Sequence, residues 1–151
     1  LGDWLASSGY GGGGRLAFHG EAGGAIAPQL LLGFDVTGIS AFGSAPPGAT
    51  AGVTLVDYDL VATIFPIVHG PFLRAGAGLS TLDGSAHGPG FGAGDVGYLG
   101  TNVLLGAGWA FPLGGGPMNV TLGLDWSHQF FGSAGVEASS FWALRLGFGW
   151  Y

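Results

Sequence analysis

The stretch that decides the fold is residues 141–151, which read FWALRLGFGWY. Its even positions are all large and apolar: Trp142, Leu144, Leu146, Phe148 and Trp150. Its odd positions between Phe141 and Tyr151 are small, apart from Arg145. Because successive side chains of a β-strand point to opposite faces, this stretch predicts a strand with one broad apolar face. The other face carries small side chains and a single charge.

Six earlier segments show the same alternation, at 11–22, 29–40, 53–66, 72–81, 101–113 and 118–131. In the segment 118–131, Leu122 and Leu124 share one face, whereas Thr121 and Asp125 share the other. Stretches rich in Gly, Pro and Ser separate the segments. Strands of about ten residues that alternate in this way are typical of a transmembrane β-barrel with lipid outside and a filled interior.

The composition agrees with this interpretation and excludes several classes of protein. Charged residues make up 8% of the chain, against about a quarter in typical soluble domains, so a soluble protein of this composition would tend to aggregate. The 34 glycines are interspersed with Leu, Phe and Trp, which disfavours disorder. The absence of cysteine excludes disulfides and thiolate metal sites. A net charge of −6 argues against a nucleic-acid partner.

The positive mean hydropathy of +0.49 requires a test for transmembrane helices. A spanning helix needs about 18 or more consecutive apolar residues, and Asp, Arg, Gly or Pro interrupts every apolar run of this sequence earlier. Inside a bilayer only helices and closed barrels pair all their backbone polar groups. The sequence therefore predicts an all-β, antiparallel, up-and-down transmembrane barrel.

The segments that connect the predicted strands alternate in length. The short ones are 23–28, 68–71 and 114–117, and the long ones are 41–52, 82–100 and 132–139. Outer-membrane barrels have short periplasmic turns and longer extracellular loops. We therefore expect three long extracellular loops and a periplasmic C-terminus.

Residues 1–151 are expected to form a single domain with seven readable strands, whereas bacterial single-chain barrels have an even number. Residues 1–10 are interpreted as an extracellular loop or a short first strand. The loop interpretation implies that the first strand is missing from this sequence or supplied in another way. Eight closed strands formed by these residues alone would refute it.

The layout of residues 11–151 resembles the eight-stranded outer-membrane β-barrels, namely the OmpA-like transmembrane domain and its opacity-protein relatives. The stretches that carry the resemblance are IAPQLLLGFDV at 26–36 and WALRLGFGWY at 142–151. The resemblance implies a multi-pass protein of the outer membrane of a Gram-negative bacterium. It also implies a chain that the barrel-assembly machinery recognises by an aromatic end, although Tyr151 here lies on the inward face and Trp150 completes the outward series.

Most of the charged side chains share the inward face. They are Arg15, His19, Glu21, Asp35, Asp57, Asp59, Arg74, Asp125 and Arg145. An eight-stranded barrel is just wide enough for side chains to fill it, and buried charges must pair, so we expect an interior ion-pair network. A proton or ion path lined by Asp57, Asp59 and Arg145 is the alternative. On the outward face, an aromatic girdle is predicted from Trp109, Trp126, Trp142 and Trp150.

The sequence predicts a structural or interaction protein, or a subunit of an outer-membrane assembly, that makes contacts through its extracellular loops. The alternative is a narrow porin-like channel for ions or small solutes. No enzyme activity is expected, because alternation sends the adjacent Ser127 and His128 to opposite faces. No cofactor or metal is expected either. The expected partners are outer-membrane lipid, the barrel-assembly machinery and other membrane proteins, which would pack against small outward residues such as Ala75 and Ala77.

Overall fold

The computed structural model describes residues 15–45, 49–67, 70–88, 91–115, 118–133 and 136–150, and these form one antiparallel sheet. Its strands are β1 (Arg15–Ala27), β2 (Leu30–Ala45), β3 (Ala49–Ile64), β4 (Pro71–Gly88), β5 (Phe91–Pro112), β6 (Met118–Ser133) and β7 (Val136–Trp150). Each strand pairs with the next one along the chain. The prediction of an all-β, up-and-down fold with seven readable strands is confirmed. The described residues include no helix that is long and apolar enough to span a membrane.

The register of the sheet keeps the predicted inward positions beside one another. One transverse row takes a single residue from each strand, in the order Glu21, Asp35, Asp59, Gly78, Asn102, Gln129 and Ser139. The sheet curls into a half-barrel, and this row crosses its concave side. Because the side-chain period of a strand is two, the register that aligns this row also places the apolar positions together on the convex side.

The prediction of three long loops was wrong. Most of 41–52, 82–100 and 132–139 is strand, and the connections on that side are 46–48, 89–90 and 134–135. The outward apolar series ends near Val56 on β3, yet the backbone pairing continues to Ala45 and Ala49. Small and polar residues therefore continue the backbone pairing of β2 and β3 beyond the point where the outward apolar series stops. The segment 23–28, expected to be a turn, is also mostly strand, because β1 ends at Ala27.

Two apolar clusters lie on the concave side, one towards each end of the sheet. The first cluster consists of Leu55, Leu82, Phe131 and Phe141 and lies towards the connections 46–48, 89–90 and 134–135. The second consists of Phe65, Phe72 and Ala110 and lies near the opposite end. The polar row and its neighbours lie between them. The interior is thus layered, with apolar side chains above and below a charged centre.

The sheet is open along one side. Within the described residues β1 pairs only with β2, and β7 pairs only with β6. Both edge strands run in the same direction, since each is separated from the other by an even number of antiparallel steps. A cavity of about 690 Å³ is lined by residues of both edges, including Glu21 on β1 and Arg145 on β7. Residues 1–10, interpreted from the sequence as a loop or a first strand, lie outside the described part of the chain.

Candidate functional site

Arg74 lies at the centre of the concave side, on β4. Its Nη2 is 2.6 Å from Oδ2 of Asp35 on β2, and both side chains are fully buried. Its Nη1 is 3.2 Å from Oδ2 of Asp125 on β6 and 3.4 Å from Oε2 of Glu21 on β1. One guanidinium therefore contacts carboxylates from three strands, which is the multidentate role that suits arginine better than lysine.

A glycine makes the Arg74–Asp125 contact possible. Gly106 on β5 lies between them in the register. A Cβ atom added at Gly106 would collide with Oδ1 of Asp125 and would lie 2.8 Å from Cγ of Arg74. The two charged side chains therefore meet over a strand position that has to be empty.

Arg145 extends the same network to the open edge. Its Nε is 3.2 Å from Oδ2 of Asp125, and its Nη1 is 3.6 Å from Oε2 of Glu21. Its guanidinium carbon also lies 5.3 Å from the centre of the Phe72 ring, a distance at which a cation–π attraction operates. Arg145 thus joins β7 to β6 and, across the cavity, to β1.

His19 and Thr37 complete the surroundings of Asp35. Nδ1 of His19 is 3.4 Å from Oδ2 of Asp35 and 3.1 Å from Oγ1 of Thr37. Thr37 donates to Oδ1 of Asp35 at 2.9 Å. Ligand atoms of His19, Glu21 and Asp35 lie within 4.8 Å of one another. Since Arg74 already supplies positive charge to both carboxylates of that trio, a metal ion would have to displace it.

Asp57 stands apart from the arginines, although the sequence placed it in the same predicted network. Its Oδ1 accepts a hydrogen bond from Ser80 at 2.6 Å. Its Oδ2 accepts from Ser127 and from Nε2 of Gln129, both at 2.7 Å. These donors come from β4 and β6, so the carboxylate joins strands on opposite sides of the interior. Three neutral donors stabilise this buried charge, and no ion pair to Asp57 is found among the described residues.

The remaining predicted site residues occupy separate places. Asp59 is fully buried beside Asn102, Asp57 and Asp35. Arg15 is the first residue of β1 and pairs with Ala41, and its side chain lies outside the description. On the convex side, Trp109 and Trp142 are exposed, and Trp126 is the register partner of Trp142. Trp150 ends β7 opposite Met118, and its side chain is likewise not described.

Ser127 and His128 do lie on opposite faces. Ser127 bonds Asp57 inside the sheet, whereas Nδ1 of His128 is 2.7 Å from Oγ of Ser140. The His128 ring stacks on Trp126, with the ring centres 5.6 Å apart, and it meets Phe130 edge-on at 4.5 Å. The two side chains therefore do not form a nucleophile–base pair.

Sequence reasoning missed the uncharged members of the interior. They are Thr37, Ser80, Asn102, Ser127 and Gln129, together with the apolar side chains of the two clusters. Their inward parity was readable, but their donor roles depend on the register between strands distant in sequence.

No family model, curated protein or solved structure matches this chain significantly.

Proposed function

We propose that this chain is the membrane-spanning part of an outer-membrane β-barrel with a plugged interior. In this proposal it acts as a structural or interaction protein, or as a subunit of an outer-membrane assembly. The observation that carries the proposal is that the sheet buries polar side chains and exposes large apolar ones. The described residues bury the charged Asp35 and Asp57, while Leu144 is 77% exposed and Leu60 is 73% exposed.

The free energy of such an arrangement favours lipid over water as the outer environment. Twenty-six large hydrophobic side chains of the described residues are exposed, against eleven buried hydrophobic ones. Burial stabilises each large apolar side chain by about 1.5–3 kcal/mol relative to exposure. A soluble sheet would forgo this contribution over its whole convex face. A bilayer provides the apolar surroundings that this face lacks.

The height of the apolar surface fits a bilayer. On β3 the outward apolar series runs from Val56 to Ile64, which is roughly 27 Å at about 3.4 Å per residue. At the strand tilt of about 35–45° found in outer-membrane barrels, this run has a height of roughly 19–22 Å, slightly less than their apolar band of about 25 Å. Beyond Val56 the outward positions become polar, with Thr54 opposite an exposed Asp83. This change supports an aqueous environment for the ends of the β2–β3 and β4–β5 hairpins near Ala45 and Gly88.

Closure of the barrel needs one more strand in this proposal. Because β1 and β7 run in the same direction, a single strand between them can be antiparallel to both. A bilayer does not tolerate unpaired sheet edges, and the resemblance to eight-stranded barrels implies the same count. By that resemblance the end of β7 faces the periplasm, the hairpin ends face outward, and the barrel-assembly machinery inserts the chain.

The filling of the interior supports an anchor rather than a pore. The Leu55 and Phe72 clusters lie on either side of the ion pairs of Arg74. Contacts with other proteins would then be made by the hairpin ends and by a shallow outward groove of about 450 Å³, lined in part by Ala62, Ala75 and Ala77. Small residues of this kind allow close packing within membranes.

Planar-bilayer recording tests the choice between anchor and channel. The purified chain, inserted into a bilayer, should give no steady single-channel conductance. The double variant Leu55→Ala/Phe131→Ala, which removes two large side chains of one apolar cluster, provides a positive comparison because it thins the plug. Steady conductance of the unmodified protein would contradict the anchor and support a narrow channel for ions or small solutes.

A further inference from the structure

The edges of β1 and β7 face each other across the open side of the sheet. Among the described residues neither edge is paired on that side. Side chains already bridge the gap, since Nη1 of Arg145 on β7 is 3.6 Å from Oε2 of Glu21 on β1. Elsewhere in the sheet Arg74 on β4 and Asp125 on β6 meet at 3.2 Å with one strand between them. The similar reach indicates a gap about one strand wide.

The cavity beside this gap has glycine in its walls. Gly23 on β1 and Gly147 on β7 line it, together with the rings of Phe65 and Phe72. A Cβ atom added at Gly23 would collide with the backbone of β2, and one added at Gly147 would lie 2.8 Å from Oγ1 of Thr121. Neither edge position can therefore fill the cavity with a side chain of its own. A large side chain on the closing strand would fill it instead.

A second copy of this chain does not supply a strand of the right direction. Two copies inserted into a bilayer in the same orientation are related by an axis along the membrane normal, so equivalent strands run the same way. Because β1 and β7 also run the same way, either edge of one copy would pair in parallel with an edge of the other. Each strand of this sheet pairs antiparallel with its neighbours. The closing strand must therefore run opposite to both edges.

The segment directly before β1 has that direction. Consecutive strands joined by a tight turn are antiparallel, and Gly-Gly is among the dipeptides favoured in two-residue turns. Residues 13–14 are Gly-Gly and stand immediately before Arg15, the first residue of β1. A turn there sends residues 1–12 back along β1. A transmembrane β-strand needs about 9–11 residues, so this segment is long enough to cross.

We propose that residues 1–12 form the strand that closes the barrel between β1 and β7, with Trp4 filling the cavity. The inference rests on the proposed function, since a sheet edge must be paired where lipid surrounds it. It selects the first-strand interpretation of residues 1–10 over the loop interpretation. A turn at 13–14 places Ala6 opposite Glu21 and Trp4 opposite Gly23, both with inward parity.

This alignment suits the ion pair that spans the gap. Ala6 is small, so its strand would pass behind the contact between Glu21 and Arg145 without displacing it. Gly106 has the equivalent role on β5, where an added Cβ would collide with Asp125. Both positions follow one rule, in which charged side chains meet over a strand position that carries little or no side chain.

The outward face of the segment also agrees with its neighbour. Leu1 and Leu5 would join the convex apolar face, on which β1 has Gly24 and the exposed Ile26. The one charged residue, Asp3, would lie opposite Gly24, close to the end of β1 at Ala27. The proposed function places the periplasmic surface at that end, where a carboxylate remains hydrated.

Cysteine pairs introduced into the full chain, which has no cysteine of its own, test the pairing with β1. The variants are oxidised in lipid vesicles with copper phenanthroline. Leu5→Cys/Ala22→Cys should form an intramolecular disulfide, because directly opposite residues have Cβ atoms about 4.5–5.5 Å apart. Leu5→Cys/Gly20→Cys is the matched control. It should form far less, since the diagonal separation of about 7–8 Å exceeds the reach of a disulfide.

The pairing with β7 is tested in the same way. Leu5→Cys should form a disulfide with a cysteine at one of the outward positions of β7, and Leu5→Cys/Ala143→Cys should not, because residue 143 has inward parity. The outward positions to be tried are Leu144, Leu146 and Phe148.

The place of Trp4 is tested by thermal unfolding in detergent micelles. Trp4→Ala should lower the Tm by about 6 °C or more, as expected for removing a large aromatic side chain from a packed interior. Trp4→Phe keeps a ring in the cavity and should retain most of the Tm. Equal Tm values for the unmodified protein and Trp4→Ala would contradict the filling of the cavity by Trp4.

The closing strand and the proposed function fail in different ways. If Leu5→Cys/Ala22→Cys forms no disulfide while labels at 142–148 still alternate between lipid and interior, residues 1–12 do not close the barrel and the proposed function stands. A disulfide that joins two chains, seen as a dimer on a non-reducing gel, would overturn closure within one chain. Loss of the alternation would contradict the lipid-facing sheet, and the closing strand with it.

Discussion

Arg74 and Asp35 meet over the strand that separates them. Their side chains approach to 2.6 Å and are fully buried, although Arg74 lies on β4 and Asp35 on β2, with β3 between them. A contact across an intervening strand is possible only where the sheet curls strongly. The sheet must therefore be strongly curved for this buried arginine to pair with this buried carboxylate.

Removal of Arg74 should destabilise the fold more than removal of Arg145. Arg74→Met leaves Asp35, Asp125 and Glu21 with less or no compensation, and the loss of one partner of a buried ion pair costs about 3–5 kcal/mol. Urea unfolding of the protein in lipid vesicles measures this loss. Arg145→Met is the comparison, because its ion pairs are longer, at 3.2 and 3.6 Å, and it should cost less. An unchanged urea midpoint for Arg74→Met would show that the network does not stabilise the sheet.

Removal of Asp57 should also destabilise the fold, although Asp57 forms no ion pair among the described residues. Asp57→Ala takes the acceptor from the hydroxyls of Ser80 and Ser127 and leaves Nε2 of Gln129 with Ser127 alone, and each buried unpaired group costs about 1–3 kcal/mol. The same urea titration measures the effect. Asp83→Ala, at an exposed position, should change the stability by less than about 0.5 kcal/mol. Equal effects of the two substitutions would contradict the described role of Asp57.

Gly106 should not tolerate a methyl group. In Gly106→Ala the new Cβ collides with Asp125 and presses on Arg74, and overpacking of this kind costs about 1–3 kcal/mol. Gly24→Ala on β1 is the matched control, because an added Cβ there meets no atom within 4 Å. Differential scanning calorimetry of both variants should give a lower Tm for Gly106→Ala alone. Similar Tm values would mean that the charged pair does not need the empty position.

A charged substitution on the convex face should destabilise the fold only where that face meets lipid. Leu144→Arg places a guanidinium on the exposed apolar face, and such a change costs about 2–4 kcal/mol near the middle of a bilayer. In water the same change would stay within about 0.5 kcal/mol. Thr54→Arg, outward but beyond the apolar series, is the control and should have little effect. Vesicle-based urea titrations of both variants distinguish the two environments.

The faces of the strands could be predicted from the sequence, because alternation is a local property. Val120 and Thr121 fall on opposite sides for the same reason that Leu144 and Arg145 do. The strand ends could not be predicted in this way. Outward residues such as Thr54 and Asp83 end the apolar series, and yet these two residues pair with each other in the register. Composition marks where the outward apolar series ends, whereas backbone pairing decides where the strand ends.

The membership of the charged interior was predictable, but its connections were not. Parity placed Arg74, Asp35 and Asp57 on one side of the sheet, and they do lie there. Which carboxylate contacts which arginine depends on strand register and on empty positions such as Gly106. Sequence alone therefore grouped Asp57 with the arginines, whereas the structure surrounds it with Ser80, Ser127 and Gln129.

Nitroxide scanning of 142–148 tests the lipid-facing sheet most directly. The chain has no cysteine, so single cysteines can be introduced and spin-labelled without background. In vesicles, labels at the outward positions Trp142, Leu144, Leu146 and Phe148 should collide with oxygen dissolved in the bilayer, and labels at Ala143 and Gly147 should not. The accessibility should therefore alternate with a period of two. Outward labels that instead collide mainly with a water-soluble nickel reagent would contradict the account.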